Sequence, residues 1–343
     1  MSSAMRSPLL RGISVEPKEK FVVIFDAGSS GTRATVYKFA SSPEGWTNIP
    51  ITGRADFSNQ VRMDSASMVE LRDSFTSLTN LAKDLVCQQG DCSNDVLVSI
   101  AGTGGMREIP EEDQQKRLDQ AQSIVKSVYP DTKAAVIDGD KESFYMSLAI
   151  QELVGGQPVV IDLGGASIQA IRTYDHNGGS WQGGGMDMFY YSHITPETMH
   201  YCINDFVTCS MLVMSGITSE KRSDVVNWFQ LMRQLSLRED PTYLASGFVH
   251  VARDLGLIPQ GAHQSTCRIE DIKNAAKRAC EISKLASPTT GRPRCFDAVY
   301  IYHLLRQVFR FHLDDKVTFI AASKEGTPAT WSLGAAVDRI TSQ

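Results

Sequence analysis

The chain has 343 residues, of which 42% are hydrophobic and 21% charged, with a formal net charge of −5 at pH 7. This length allows two domains of ordinary size, and the composition is typical of a soluble globular protein. No basic block indicates a nucleic-acid-binding surface, and no apolar run approaches the roughly 18 residues of a membrane-spanning helix. Residues 1–20 lack the apolar core of a signal peptide.

The first predicted element is a hairpin whose tip carries anion-binding groups. Residues 21–25 form a continuous apolar run that predicts a buried strand, and residues 34–39 predict its partner. Glycines in the intervening loop let backbone N–H groups turn towards an anion, and hydroxyl groups add further donors. We therefore expect a phosphate-binding loop with five candidate ligands, Gly28, Ser29, Ser30, Gly31 and Thr32. Considered alone, the loop could also be an ordinary polar turn.

Helices and strands then alternate, which favours an α/β architecture. Apolar spacing predicts helices over residues 65–86 and 111–129 and strands over residues 95–101 and 134–137. The strand over 95–101 ends in a glycine-rich segment in which Thr103 is a candidate phosphate ligand.

Glu142 lies in the first turn of a helix predicted over residues 142–153. The helix dipole there favours an ionised carboxylate, which a general base for water must be at neutral pH. Glu142 is therefore a candidate catalytic base. The alternative is that it only complements the helix dipole.

A second loop of the same composition follows in residues 158–171, where an apolar strand leads into Asp162, two glycines, Ser167 and a further strand. Asp26 and Asp162 are 136 positions apart (162 − 26), which suggests duplicated lobes that face each other. This is the layout of the actin, sugar-kinase and Hsp70 superfamily, where the phosphates of a nucleotide lie between two such hairpins.

The second loop adds further candidate site residues. Gly164, Gly165 and Ala166 are candidate phosphate ligands through their backbone. Ser167 and Gln169 are candidate catalytic residues, and Gln169 could hold the attacking water as the glutamine of GTPases does.

Asp26 and Asp162 each stand at the end of a strand, at the mouth of a hairpin. Two facing carboxylates suit Mg²⁺ or Ca²⁺, bound through water because Mg²⁺ gives up its hydration shell reluctantly. Each aspartate alone could instead cap a turn. Trp331 is a candidate residue beside this metal site, and a tryptophan in the core is the alternative.

The remainder of the chain is mostly helical by prediction. Residues 174–185 are rich in glycine and polar residues and predict a loop. The other predicted elements are mainly helical structure over 196–284 (clearest over 225–237 and 271–285), a helix over 296–312, a strand over 317–321 and a helix over 330–339.

The seven cysteines have no C-x-x-C spacing, which argues against a zinc knuckle or a redox site. Cys87 with Cys92 and Cys202 with Cys209 are candidate disulfides. Buried free thiols are the alternative.

Five segments resemble the nucleoside triphosphate diphosphohydrolases, the family of apyrases, ecto-ATPases and Golgi guanosine diphosphatases. In the family's order they are residues 26–32, 103–107, 139–144, 162–169 and 331–334. The sequence departs from the family pattern at Gly104, where alanine is usual, and at Ser143, where glycine is usual. Residues 182–205 depart most.

The resemblance implies two actin-like lobes with a nucleotide cleft between them. The final helix would return to the first lobe, giving one lobe of residues 20–139 plus 325–343 and a second of residues 140–324 with helical insertions. It also implies removal of terminal phosphates from nucleoside tri- or diphosphates by direct water attack. Glu142 would be the base, Mg²⁺ or Ca²⁺ the cofactor, and the secretory lumen or the cell exterior the location.

Other functions use similar hairpins. An exopolyphosphatase or guanosine-pentaphosphate phosphatase is one alternative, against which residues 103–107 and 331–334 argue. A non-catalytic nucleotide-binding module of the actin or Hsp70 type is another, against which Glu142 and Gln169 argue. A sugar kinase would need an acceptor site, which the sequence does not reveal. The sequence predicts neither base preference nor oligomeric state.

Overall fold

The computed structural model describes residues 18–28, 31–41, 51–88, 95–164, 167–173, 181–187, 199, 202, 205–219, 241–282 and 294–342. These residues form one sheet of five strands and one of six, with helices packed on both. The predicted α/β class is confirmed.

The first sheet has its first strand at the centre. Its strands are β1 (Glu19–Gly28), β2 (Gly31–Ala40), β3 (Ile51–Asn59), β4 (Leu97–Gly102) and β5 (Lys133–Val136), in the order β3-β2-β1-β4-β5. β1, β2 and β3 pair antiparallel, whereas β4 and β5 run parallel to β1. Its helices are α1 (Met68–Gln88), α2 (Gly104–Arg107) and α3 (Glu111–Lys126).

The apolar run in β1 is continuous because both faces of this sheet are covered. Side chains alternate along a strand, so Phe21, Val23 and Phe25 pack against the outer helices α1 and α3. Val22 and Ile24 point the other way, into a second core between the sheets. A strand buried on both faces has no exposed polar positions in its middle.

The second sheet repeats this plan. Its strands are β6 (Val159–Leu163), β7 (Ser167–Thr173), β8 (Trp181–Asp187), β9 (Thr242–Ser246), β10 (Gln264–Arg268) and β11 (Lys316–Ile320). The order β8-β7-β6-β9-β11 matches that of the first sheet, and β10 adds an antiparallel edge strand. Five helices accompany it among the described residues: α4 (Gly139–Val154), α5 (Phe206–Ser219), α6 (Gly247–Asp254), α7 (Ile269–Ile282) and α8 (Arg294–His303). The last helix of the chain is α9 (Trp331–Thr341).

Two helices, α4 and α9, fill the space between the sheets. Their buried side chains share one core with Val22 of β1 and Val160 of β6. At Gly334 the helices approach so closely that a Cβ atom would lie 1.7 Å from the carbonyl oxygen of Tyr145. α9 packs on β1 and β2 of the first sheet, and the predicted return of the last helix to the first lobe stays a prediction. The lobe boundaries at 139/140 and 324/325 stay a prediction.

One sequence prediction in the second half was wrong, and two short strands were not predicted. Residues 181–185, predicted as loop, belong to β8, because antiparallel pairing with β7 supplies the hydrogen bonds of this glycine-rich segment. β9 and β10 lie within a region predicted to be mainly helical. Each has five residues, too few for a clear period, and pairs with strands far away in the sequence. The helix predicted over 225–237 lies outside the described residues.

The structure contains the predicted disulfide Cys202–Cys209 and a second, Cys280–Cys295, that was not predicted. Cys87 is also disulfide-bonded, and its predicted partner Cys92 lies outside the described residues. Cys267 is a free thiol whose pKa is raised to about 12 by burial. Within the described ranges, no helix combines the length and the apolar character needed to span a membrane.

Candidate active site

Asp26 lies near the end of β1, opposite Arg33 in the register of the first hairpin. Its side chain is 13% exposed, and Arg33 Nη1 lies 3.4 Å from Asp26 Oδ2. Burial raises the pKa of Asp26 to about 7, Arg33 opposes this shift, and the negative charge of Glu142 adds to it. Burial therefore disfavours the ionised carboxylate of Asp26 unless a positive charge lies beside it.

Asp162 has the equivalent place in the second hairpin, on β6 opposite Gln169. It is 4% exposed, and its Oδ1 atom makes no hydrogen bond with any residue that the structure describes. Burial raises the pKa of Asp162 to about 7, a hydrogen bond from the Ser246 side chain lowers it, and Glu142 raises it. The two aspartates thus share one kind of environment and one charged neighbour.

Glu142 is that neighbour. It lies in the first turn of α4, which Asp138 caps by accepting a hydrogen bond from the backbone N–H of Lys141 at 2.7 Å. Because its charge raises the pKa of both Asp26 and Asp162, the start of α4 lies near both hairpins. Three carboxylates from three separate elements therefore influence one another in this region.

Arg107, the last residue of α2, holds Glu142. Its Nη1 atom donates to Glu142 Oε2 at 3.1 Å and to the carbonyl oxygen of Ile137 at 2.8 Å. Both side chains of the ion pair are mostly buried. Sequence reasoning included Arg107 in a family-like segment without giving it a role. The sequence signal that could have indicated a role for Arg107 is its position in the glycine-rich turn after β4.

The candidate phosphate ligands of the first hairpin are only partly brought together. A Cβ atom on Gly28 would lie 3.6 Å from Thr103 Oγ1, so these two candidates are neighbours. Gly31 has φ +135°, and a Cβ there would lie 2.4 Å from Asn59 O, which explains why glycine is required. Thr32 is fully buried and its hydroxyl donates to Val61 O at 2.8 Å, inside the lobe. Ser29 and Ser30 lie outside the described residues.

In the second hairpin, Gly164 follows β6 directly and Ser167 begins β7. Gln169 is 1% exposed and pairs across the sheet with Asp162. Gly165 and Ala166 lie outside the described residues. The roles of these residues stay predictions.

Trp331 is the first residue of α9 and is buried. Its ring is stacked on that of Tyr145 in α4, with 6.4 Å between the ring centroids. The structure thus gives the indole a packing function between the two central helices. Its predicted place beside a metal ion stays a prediction.

The donor set fits a hydrated divalent cation better than a fully protein-bound one. Within the described part of the chain, no cluster of three His, Cys, Asp or Glu side chains is arranged to hold a metal ion. Asp26 and Asp162 supply two carboxylates, and Oδ1 of Asp162 is a buried acceptor to which no described residue donates. A cation that keeps several waters, as Mg²⁺ does, needs only one or two carboxylates.

The chain is similar in sequence to nucleoside phosphatases. Residues 13–181 match the model of the GDA1/CD39 (nucleoside phosphatase) family. "Apyrase" of Solanum tuberosum is 28% identical over 177 residues, which are 47% of this chain and 38% of that protein. "Probable apyrase 2" of Oryza sativa subsp. japonica is 23% identical over 93% of this chain and 85% of that protein. The chain spans less than half the length of the first relatives that it matches.

Solved structures have the same fold at low sequence identity. The PPX-GPPA enzyme of Aquifex aeolicus superposes with a TM-score of 0.60 at 12% identity, over 94% of this chain and 100% of that chain. Nucleoside triphosphate hydrolases from Neospora caninum give a TM-score of 0.56 at 12% identity, over 94% of this chain and 92% of that chain. The predicted two-lobed actin-like fold is confirmed.

The family match contains all three carboxylates of the cleft. Asp26, Glu142 and Asp162 all lie within residues 13–181. The part of this chain that carries the candidate site therefore matches the GDA1/CD39 (nucleoside phosphatase) family and is similar to apyrases.

Proposed function

We propose that this protein hydrolyses the terminal phosphate of nucleoside tri- or diphosphates with the help of a divalent cation. One observation carries the proposal: the charge of Glu142 raises the pKa of both Asp26 and Asp162, so a candidate base for water lies near both hairpin carboxylates. The match of residues 13–181 to a nucleoside phosphatase family and the similarity to apyrases support the same substrate class.

Asp26 and Asp162 would hold a hydrated Mg²⁺ or Ca²⁺. When bound, the cation neutralises charge on the phosphates and on the leaving group. The raised pKa of each aspartate means that ionisation at neutral pH depends on a positive partner. Gly28 and Gly164 would bind phosphate oxygens through their backbone, and Thr103, the neighbour of Gly28, through its hydroxyl.

Glu142 would accept a proton from water as the water oxygen bonds to the terminal phosphorus. The bond from phosphorus to the bridging oxygen breaks, and its electron pair stays with the shortened nucleotide. Arg107 fixes the Glu142 carboxylate through the 3.1 Å hydrogen bond. Orienting this carboxylate for the reaction would therefore cost little free energy. Gln169, opposite Asp162 in the sheet, would orient the water, with Ser167 beside it.

The disulfides support a location in an oxidising compartment. Cys202–Cys209 and Cys280–Cys295 are typical of proteins of the secretory lumen or the cell exterior, because cytosolic thiols are kept reduced. We propose that location for this protein.

Phosphate release from ATP, ADP, GDP, UDP and polyphosphate, with and without Mg²⁺ or Ca²⁺, tests the function. We expect release from at least one nucleotide, complete loss in EDTA, and loss of at least about 10²-fold in Asp26→Asn and in Asp162→Asn. Asp73→Asn is the matched control, because Asp73 is an exposed aspartate of α1.

Each contrary result has its own meaning. Release from polyphosphate alone would replace the proposal with an exopolyphosphatase. Nucleotide binding without any release would make the protein a binding module. Near-normal activity of both aspartate variants with metal present would remove the metal assignment.

A further inference from the structure

Ser246 is the last residue of β9, the parallel neighbour of β6 in the second sheet. Asp162 pairs with Ala245, so Ser246 stands one residue beyond the strand partner of the aspartate. The Ser246 side chain donates a hydrogen bond to the Asp162 carboxylate. The hydroxyl therefore contacts a group that we assign to the cation.

This hydroxyl does not serve the helix that follows it. Ser246 is the residue before α6, where a serine side chain usually accepts a hydrogen bond from the first turn of the helix. In this structure Ser246 makes no such capping bond. Its side chain is turned to the aspartate instead.

The backbone is bent to allow this contact. Ser246 has φ 55° and ψ −113°, and Arg310 is the other non-glycine residue with positive φ in the described part of the chain. Such conformations are strained for residues with a Cβ and cluster at functional sites. At the next position, a Cβ on Gly247 would lie 2.7 Å from Leu163 O, so glycine lets the start of α6 close onto β6.

The first lobe holds its aspartate in a different way. The position equivalent to Ser246 is Gly102, one residue beyond Ala101, the strand partner of Asp26. Asp26 has the guanidinium of Arg33 at 3.4 Å from across its hairpin. The hydroxyl on β9 is therefore a feature of the second lobe alone, and it accompanies the more deeply buried aspartate.

We propose that Ser246 is a positioning residue for the cation, which holds the Asp162 carboxylate in one orientation and leaves Oδ1 to accept from a metal-bound water. This inference rests on the proposed function and assigns a further residue to the same site. We attribute the strained backbone of Ser246 to its contact with the Asp162 carboxylate.

Two variants separate the hydroxyl from the backbone strain. Ser246→Ala removes the hydroxyl and keeps the strain, whereas Ser246→Gly removes both. Electron paramagnetic resonance of Mn²⁺ measures its affinity for the full chain in the presence of a non-hydrolysable ATP analogue. We expect both variants to bind Mn²⁺ about 10-fold more weakly and to lose about 10- to 100-fold in kcat, as for other residues that orient metal ligands.

Stability distinguishes positioning from a merely structural role. The urea midpoint of Ser246→Gly should be no lower than that of wild type, because glycine adopts positive φ without strain. Ser265→Ala is the matched control: the Ser265 hydroxyl donates to Leu257 O at 2.7 Å in the same sheet, and its loss should leave Mn²⁺ affinity unchanged.

If Ser246→Gly binds Mn²⁺ within about twofold of wild type, the inference is overturned, and this variant decides the question should Ser246→Ala fail to fold. If wild type neither binds Mn²⁺ with the analogue nor releases phosphate, the proposed function itself fails, and this inference with it. An active wild type with an unaffected Ser246→Gly variant overturns the inference alone.

Discussion

At the scale of single residues, Glu142 is held at both its backbone and its carboxylate. Its N–H donates to Asp138 O at 3.0 Å, and Asp138 also caps the helix through its side chain. Arg107 binds Oε2 from α2, and Ile137 O anchors the same Arg107 nitrogen. A base that is oriented before the reaction costs less to organise in the transition state.

Glu142→Gln should lower kcat by about 10²- to 10⁴-fold, the usual contribution of a general base, because glutamine keeps the size but accepts no proton. Binding of a non-hydrolysable analogue with Mg²⁺, measured by calorimetry, should change little. Glu111→Gln on α3 is the control. If Glu142→Gln turns over within a few-fold of wild type, Glu142 only complements the helix dipole and the base lies elsewhere.

Arg107→Gln should lower kcat about tenfold or more, because Glu142 loses the donor that orients it. Steady-state kinetics of the double variant Arg107→Gln with Glu142→Gln tests whether Arg107 acts on the reaction through Glu142. If Arg107 acts through Glu142, the double variant should be no slower than Glu142→Gln alone. Multiplicative losses would show that Arg107 acts on substrate independently. Arg72→Gln, on the exposed face of α1, is the control.

At the scale of elements, the contact between α4 and α9 sets how the lobes meet. The missing side chain at Gly334 allows contact with the backbone at Tyr145, and Trp331 stacks on the Tyr145 ring. Lys141 lies over the Tyr145 ring and 3.7 Å from Asp338 of α9. Because α4 also carries Glu142, this helix pair positions the proposed base as well as the lobes.

Gly334→Ala should destabilise the protein by about 1–3 kcal/mol or more, because the new methyl would lie 1.7 Å from a backbone oxygen that cannot rotate away. Urea unfolding measures the change. Gly53→Ala on edge strand β3 is the matched control, since its Cβ would meet Lys38 Cβ at an ordinary 3.5 Å. A Gly334→Ala variant within about 0.5 kcal/mol of wild type would contradict the close helix contact.

His303, the last residue of α8, predicts a pH-dependent stability. It is 6% exposed and neither ring nitrogen makes a hydrogen bond among the described residues. Burial, and then the charge of Arg306, lower its pKa to about 4. Between the ordinary histidine pKa of 6.5 and about 4, the unfolded chain binds the proton and the native state does not, so stability falls as pH falls through this window.

The expected loss from this histidine is about 3 kcal/mol, from about 1.4 kcal/mol per pKa unit. Urea unfolding of wild type and His303→Phe at about pH 7 and about pH 4.5 measures it. The variant should lose less stability on acidification than wild type does. Equal losses in the two proteins would mean that His303 contributes nothing to the acid sensitivity.

At the scale of the whole molecule, the two sheets share one core, built around α4 and α9. The hairpins with Asp26 and Asp162 come from different sheets, so both must reach one phosphate chain for the proposed reaction. Enclosing the substrate in this way excludes water other than the attacking one.

We expect the lobes to close when Mg²⁺ and a non-hydrolysable analogue bind, which should lower the radius of gyration measured by small-angle X-ray scattering. Asp162→Asn should show a smaller change at the same ligand concentration, because it removes a cation ligand. Superimposable profiles of wild type with and without ligand would contradict closure.

The sequence by itself determined the parts whose signals are local. Asp26 and Asp162 could be chosen because each ends an apolar run and precedes glycines, a composition that predicts a strand and a turn without knowledge of the fold. Glu142 could be chosen because the apolar spacing after it predicts a helix over residues 142–153, whose first turn contains Glu142. The family resemblance then predicted that Asp26, Glu142 and Asp162 lie in one nucleotide cleft.

Only the tertiary structure decided which distant residues meet. Arg107 and Glu142 are 35 positions apart (142 − 107), and Asp162 and Ser246 are 84 apart (246 − 162). Their contacts depend on how α2 sits beside α4 and how β9 pairs with β6. Local propensity carries no information about such pairings, because sheet register and helix packing are set by burial of the whole core.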